Sequence, residues 1–245
     1  LIRKAQQLID LRRHQGKHPR IGAVDVVPWI PFRGITMEEC VGYARSLGAQ
    51  VGQELNIPVF LYEGASRVSS RARLETIRRG GLSALETRIK ADALWKPDFG
   101  PSVLHQTAGA IAIGARFFLV AFNVVLNSND VAMAHQIAKV IRTSGGGLPS
   151  LKAMGVFLPS RSLVQVSMNL TDFRETSLRA AFQAVEQEAH SLDVAILESE
   201  LVGLVPQAAW DEDLPRDLKI RNGNPDRVIE RRLNQHPLFH HGSLR

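Results

Sequence analysis

Apolar positions recur at helical spacing from the start of the chain. Ile2, Ala5, Leu8 and Ile9 share one face, which predicts an amphipathic helix over 1–13, ended by Gly16. Ala23-Val24-Asp25-Val26-Val27 reads as a buried strand closed by Pro28 and Pro31. Thr36 followed by Glu39 has capping-box spacing and predicts a helix over 37–55, before a short apolar strand over 58–62. One or two helices then reach Lys96, with caps at Ser69 or Ser70 and at Ser83 with Glu86. Residues 97–114 are rich in glycine, alanine and small polar side chains, and read as a loop with short extended pieces.

The second half has a clearer rhythm. A strand over 117–126 leads to a helix opened by Asn129 or Asp130 and ended before Gly145-Gly146-Gly147. Residues 154–158 and the alternating 163–170 form a hairpin around Pro159-Ser160-Arg161-Ser162, followed by a helix over 176–191 and a strand over 194–201. Strand, helix, strand, strand, helix, strand is the ferredoxin-like order, with helices on one face of an antiparallel sheet. The first half reads as the same unit without its first strand. The expected fold is therefore α+β: two ferredoxin-like subdomains related by duplication, each a mostly antiparallel sheet covered by helices, the first one incomplete. The expected boundaries are 1–116, 117–210, and a charged tail over 211–245 with a short helix over 225–233.

Composition narrows the class. With 245 residues, 44% of them hydrophobic, the chain can bury one large core or two modest ones. No apolar run is long and charge-free enough to span a bilayer, and the opening segment is charged, so a soluble cytoplasmic protein with no membrane partner is expected. The lone cysteine, Cys40, fits a reducing compartment and reads as a small buried hydrophobe. A net charge of +6 suits an anionic small molecule better than nucleic acid: the basic residues are scattered over several elements, and aromatics make up only 6%.

Standard site motifs are absent. The glycines at 109 and 114 lack the Lys and Ser/Thr of a phosphate loop, no three-glycine dinucleotide pattern follows a strand, and no serine elbow is present. There is no zinc-type cysteine spacing, and His236, His240 and His241 read as solvated, so no metal is expected. Two stretches remain. In His18-Pro19-Arg20-Ile21-Gly22-Ala23-Val24-Asp25, proline stiffens a turn that presents an imidazole able to take and return a proton near neutrality. In Asp98-Phe99-Gly100-Pro101-Ser102-Val103-Leu104-His105-Gln106-Thr107-Ala108-Gly109, glycines expose main-chain N–H groups to a flat ligand.

At these stretches the sequence resembles the formiminotransferase domain of the glutamate formiminotransferases and formiminotransferase-cyclodeaminases. The likeness extends collinearly through Asp10 to His14, Pro28 to Gly34, Pro58 to Tyr62, Ala121 to Asn123, Gln165 to Leu170 and Glu200 to Pro206. It starts inside the family pattern, without the opening strand. The resemblance implies transfer of the formimino group from N-formimino-L-glutamate to N5 of the co-substrate tetrahydrofolate in histidine breakdown, with the folate in a cleft between two ferredoxin-like subdomains of a homodimer. It assigns catalysis to His18 and folate binding to Gly100, Pro101, Ser102, Val103, Leu104, His105, Gln106, Thr107, Ala108 and Gly109. Asp25 is a candidate for holding charge on the formimino group, or for a structural pairing with Arg20. An N-formylglutamate or 5-formyltetrahydrofolate-using relative and a non-catalytic folate-binding dimerisation module are the alternatives. A cyclodeaminase partner on a separate chain is a further expectation of the resemblance.

Overall fold

The computed structural model describes residues 1–14 and 20–235, and the chain divides into two compact units, Leu1–Phe117 and Phe118–Arg245. The first unit opens on helix α1 (Ile2–Leu8), shorter than the periodicity predicts. The chain then leaves α-helix, and the Asp10 carboxylate accepts from Arg12 N to cap a single 3-10 turn, Leu11–Arg13. Strand β1 (Asp25–Trp29) runs through Pro28 instead of stopping before it. Among the described residues it pairs on one side only, which is the edge position that tolerates the missing N–H of proline.

Helix α2 (Met37–Leu55) starts where predicted. Glu39 N donates to Thr36 Oγ1 at 3.2 Å while Thr36 N donates to Glu39 Oε2 at 2.8 Å, a complete capping box. Cys40, Ala44, Gly48, Val51 and Gly52 form its buried stripe. After strand β2 (Val59–Glu63) come helices α3 (Leu74–Arg78) and α4 (Gly81–Ala91), which begin after Arg73 and Gly80 and not at the predicted serines. Strand β3 (Ile111–Ala115) lies at the end of the stretch read as a loop with short extended pieces, and it is the centre of the sheet.

This central strand corrects the expected topology. Both β1 and β2 pair with β3 in parallel, in the order β1-β3-β2, so the first sheet is not antiparallel. One face packs Val59, Leu61, Ile111 and Ile113 with Ala44 and Val51 of α2; the other packs Phe60, Tyr62, Ala110 and Ala112 with Ile77, Leu85 and Ile89 of α3 and α4. A sheet covered on both faces is the setting in which parallel strands with helical crossovers are stable.

The second unit follows the element order read from the sequence. Strands β4 (Val120–Leu126), β5 (Leu151–Leu158), β6 (Leu163–Leu170) and β7 (Ile196–Val202) make a sheet of order β5-β6-β4-β7 in which every pairing is antiparallel. Helices α5 (Val131–Ile141), capped by Asp130, and α6 (Leu178–Ser191), capped by Ser177, pack their apolar stripes on one face. The stretch after Trp210 is not a tail over its described length. Leu214 of the short helix α7 (Leu214–Asp217), Leu218, Ile220 and Val228 are buried in the same core, and Ser199 bridges to Ile220 at the edge of β7. The predicted helix over 225–233 is a 3-10 turn, Pro225–Arg227, followed by α8 (Ile229–Gln235).

Candidate active site

The two stretches singled out in the sequence are joined through main-chain hydrogen bonds of the first unit. Leu11 N donates to Thr107 O at 2.9 Å, Ala23 N to Ala108 O at 3.0 Å, and Ala110 N to Ile21 O at 2.7 Å. Residues on both flanks of 15–19 therefore hold the same short segment. His18, which carries the catalytic expectation, lies outside the described residues.

Two glycines permit this approach. Gly22 and Gly109 form an antiparallel bridge, and a Cβ on Gly22 would fall 1.8 Å from Ala110 O. Gly109 has φ +68°, and a Cβ there would fall 2.3 Å from Ile21 O.

The other end of the segment is fixed to β2. Asp98 N donates to Val59 O at 2.8 Å and Val59 N to Phe99 O at 2.9 Å. The Asp98 carboxylate accepts from Leu61 N at 2.7 Å and from Arg71 at 2.8 Å, with both charged side chains almost fully buried. Arg71 also donates to Leu94 O and Lys96 O and lies over the Phe60 ring, so the buried guanidinium is well satisfied. Residues 100–104 run between these two anchored ends, with Gly100 close against Gly52 and Ile57 and Leu104 on the cluster around Phe60.

His105 is engaged inside its own loop. Its Nδ1 accepts from Ala108 N at 3.1 Å and Thr107 N at 3.3 Å, while Nε2 lies 3.0 Å from the Gln6 amide. An imidazole that terminates two backbone N–H groups folds a turn and has no Nδ1 lone pair left for proton transfer. Of the ten residues expected to hold folate, Gly100, Ser102, Val103 and Gln106 are exposed, whereas Ala108 and Gly109 are buried and structural. Pro101, Leu104, His105 and Thr107 are half-buried, and Leu104 packs on the cluster around Phe60.

The expected pairing of Asp25 with Arg20 does not form. Arg20 donates to His14 O, while Asp25 accepts from Ile21 N at 2.6 Å and forms an ion pair with Arg78. Asp25 stands at φ +66°, a left-handed conformation that these two partners hold in place. Sequence reading missed Arg78 and Gln6. Arg78 beside Arg79 reads as a solvated helix face, and nothing local marks either residue as a neighbour of the site.

Two other reactive groups are poorly placed for chemistry. Burial raises the Tyr62 phenol above its ordinary value, and burial likewise raises the Cys40 thiol, so both are held in their neutral forms. Among the described residues no group of three or more His, Cys, Asp or Glu is placed to hold a metal ion, and no helix is long and apolar enough to cross a membrane.

Comparison with known proteins agrees across both units. Residues 1–116 match the N-terminal subdomain of the formiminotransferase domain, and residues 121–212 match the formiminotransferase domain. A glutamate formimidoyltransferase of Thermoplasma acidophilum is 42% identical over 96% of this chain and 77% of its own length. One of Streptococcus pyogenes serotype M1 is 41% identical over 85% of this chain and 70% of its own length. The formimidoyltransferase-cyclodeaminase of Rattus norvegicus is 45% identical over 84% of this chain, which spans 39% of that longer protein.

Proposed function

The chain belongs to the formiminotransferase family, and on that premise we propose that it transfers the formimino group of N-formimino-L-glutamate to N5 of tetrahydrofolate, a step of histidine breakdown. One observation carries the reading. Residues on both flanks of the His18 turn are hydrogen-bonded to the segment that the resemblance relates to folate, through Leu11, Ile21 and Ala23 on one side and Thr107, Ala108 and Ala110 on the other. The names of relatives aligned over most of the chain support the reaction class.

The chemistry needs one proton carrier. N5 attacks the formimino carbon and loses a proton as the new C–N bond forms; the glutamate nitrogen gains a proton as its own C–N bond to that carbon breaks. The neutral imidazole of His18 takes the first proton and returns it to the leaving amine. Asp25, engaged by Arg78 and Ile21 N, acts as a positioning residue that fixes the segment Ile21 to Asp25. The net charge of +6 favours approach of the folate carboxylates.

The test is formation of 5-formiminotetrahydrofolate by the purified protein and its His18→Ala variant. The variant should lose about 10²–10⁴-fold in kcat while binding 5-formyltetrahydrofolate as the parent does. Turnover at the parental rate would sink the assignment of His18, and a parent protein without formimino transfer would sink the reaction itself.

A further inference from the structure

Helix α3 has only five residues, too few to hold its shape without tertiary support. The carbonyls at its C-terminal end need donors from elsewhere. Arg88, on α4, supplies them. Its Nη1 donates to Thr76 O at 2.9 Å, and its Nη2 to Ile77 O at 3.1 Å and to Arg79 O at 2.7 Å. Nε donates to Ala84 O at 3.1 Å within α4, and the guanidinium carbon lies 4.0 Å from the centre of the Trp95 ring. One side chain thus locks the corner between the two helices.

The charge is held at that corner against a cost. Burial, with the neighbouring Arg79, lowers the Arg88 pKa below its ordinary value. Ending a helix does not by itself call for a half-buried guanidinium, since a glycine or solvent serves. What the clamp adds is direction. Arg78 lies between Ile77 and Arg79, the two residues whose carbonyls Nη2 holds, so the backbone from which the Arg78 side chain leaves is fixed on both sides.

From there Arg78 reaches the start of β1 and pairs with the Asp25 carboxylate. Asp25, at φ +66°, also accepts from Ile21 N at 2.6 Å. A left-handed aspartate persists where its surroundings fix it. Clamp, ion pair and carboxylate form one relay, and it ends at Ile21, which follows His18 closely in the chain. We propose that Arg88 is a positioning residue for formimino transfer, acting through Arg78 and Asp25 on the segment Ile21 to Asp25. The proposal rests on the reaction given above. The segment related to folate has anchors of its own in Asp98, in the His105 turn and in the bond from Leu11 N to Thr107 O. Cutting the relay therefore lowers kcat and spares folate affinity.

The experiment measures kcat, Kd for 5-formyltetrahydrofolate and thermal unfolding for Arg88→Met, Arg78→Met and the double variant, with Ile89→Val as the control. Ile89 is buried on the same helix and takes no part in the relay. Each arginine variant should lower kcat about tenfold and keep Kd within about threefold of the parent. The double variant should fall within about twofold of the poorer single one, because both changes cut the same relay. Ile89→Val should lower the unfolding temperature and keep the parental kcat. If Arg88→Met does not fold, Arg88→Lys takes its place in the cycle under the same criteria, since an ammonium cannot reproduce the guanidinium fork. Parental kcat in a folded Arg88 variant, losses that multiply in the double variant, or an equal loss of kcat in Ile89→Val would each overturn the proposal and leave the reaction standing. A parent protein without formimino transfer would overturn the reaction, and this proposal with it.

Discussion

Gly22 and Gly109 face each other in an antiparallel bridge so close that neither has room for a methyl group: the added carbon would lie 1.8 Å from Ala110 O in one case and 2.3 Å from Ile21 O in the other. The contact brings the backbone at Ile21 and Gly22 against the backbone of the glycine-rich segment. Because Gly109 also stands at φ +68°, an alanine there meets both steric overlap and conformational strain.

Gly109→Ala should therefore lose about 2 kcal/mol or more of stability, with a parallel rise in Kd for 5-formyltetrahydrofolate. Gly42→Ala is the control. A Cβ at Gly42, in the middle of α2, meets nothing within 4 Å, and alanine should add up to about 1 kcal/mol through helix propensity. Urea unfolding of the two variants checks the contrast, and equal effects would remove the argument from close approach.

The buried pair of Arg71 and Asp98 anchors the far end of the same segment. Asp98→Asn keeps an acceptor for Leu61 N but leaves the Arg71 charge in the interior without its counterion. The expected cost is about 3–5 kcal/mol. Replacing both residues together, as Arg71→Met with Asp98→Asn, should cost less than the sum of the single changes. A double-mutant cycle by urea unfolding measures the difference; additivity would mean that the pair is not coupled.

Acid should loosen the 3-10 turn Leu11–Arg13. A hydrogen bond from the Arg12 guanidinium holds the Asp10 carboxyl down to about 2, against an ordinary value of 3.8. Because the folded value is the lower one, the stabilisation is present above the ordinary value and is lost as pH falls through about 2. Hydrogen bonds from Arg174 to Asp172 and from Arg179 to Asp217 lower those carboxyls too, so their contributions are also lost on acidification. Asp10→Asn should be less stable than the parent near pH 5 and converge with it near pH 2, by urea midpoints. A constant gap across that range would assign the effect to capping geometry alone.

What could be read in advance depended on how each element is buried. The hairpin of β5 and β6 and the helices α5 and α6 were legible because one side of each faces a core, which imprints a period on the sequence. Ile111–Ala115 carries no alternation, since both faces of that strand are covered, and its alanines and glycine resemble the loop before it. The stretch after Trp210 misled for a different reason. Leu214, Leu218, Ile220 and Val228 are sparse anchors among charged neighbours, a pattern that composition reads as tail. At the candidate site, the two stretches could be found by residue type, but Asp25 pairing with Arg78 depends on distant segments meeting in the fold.

The two histidines of the candidate site should separate kinetically. His105 uses Nδ1 to terminate Thr107 N and Ala108 N, and Nε2 faces the Gln6 amide, so its role is to hold the loop in shape. His105→Ala removes the acceptor for two backbone donors, and the loop should lose its preorganised form at a cost of about 1–3 kcal/mol. Under the proposed mechanism the result is a KM effect: the constant for tetrahydrofolate should rise about tenfold or more while kcat stays within about threefold of the parent. His105→Asn places a carbonyl oxygen near the position of Nδ1 and should recover much of the folate affinity, which a proton carrier replaced by an amide could not do. His18→Ala should show the opposite split, with kcat lost and folate affinity kept. Steady-state kinetics with each substrate varied in turn, together with binding of 5-formyltetrahydrofolate, distinguishes the two. If His105→Asn loses kcat as severely as His18→Ala, the imidazole of His105 takes part in proton transfer and its assignment as a loop pin is wrong.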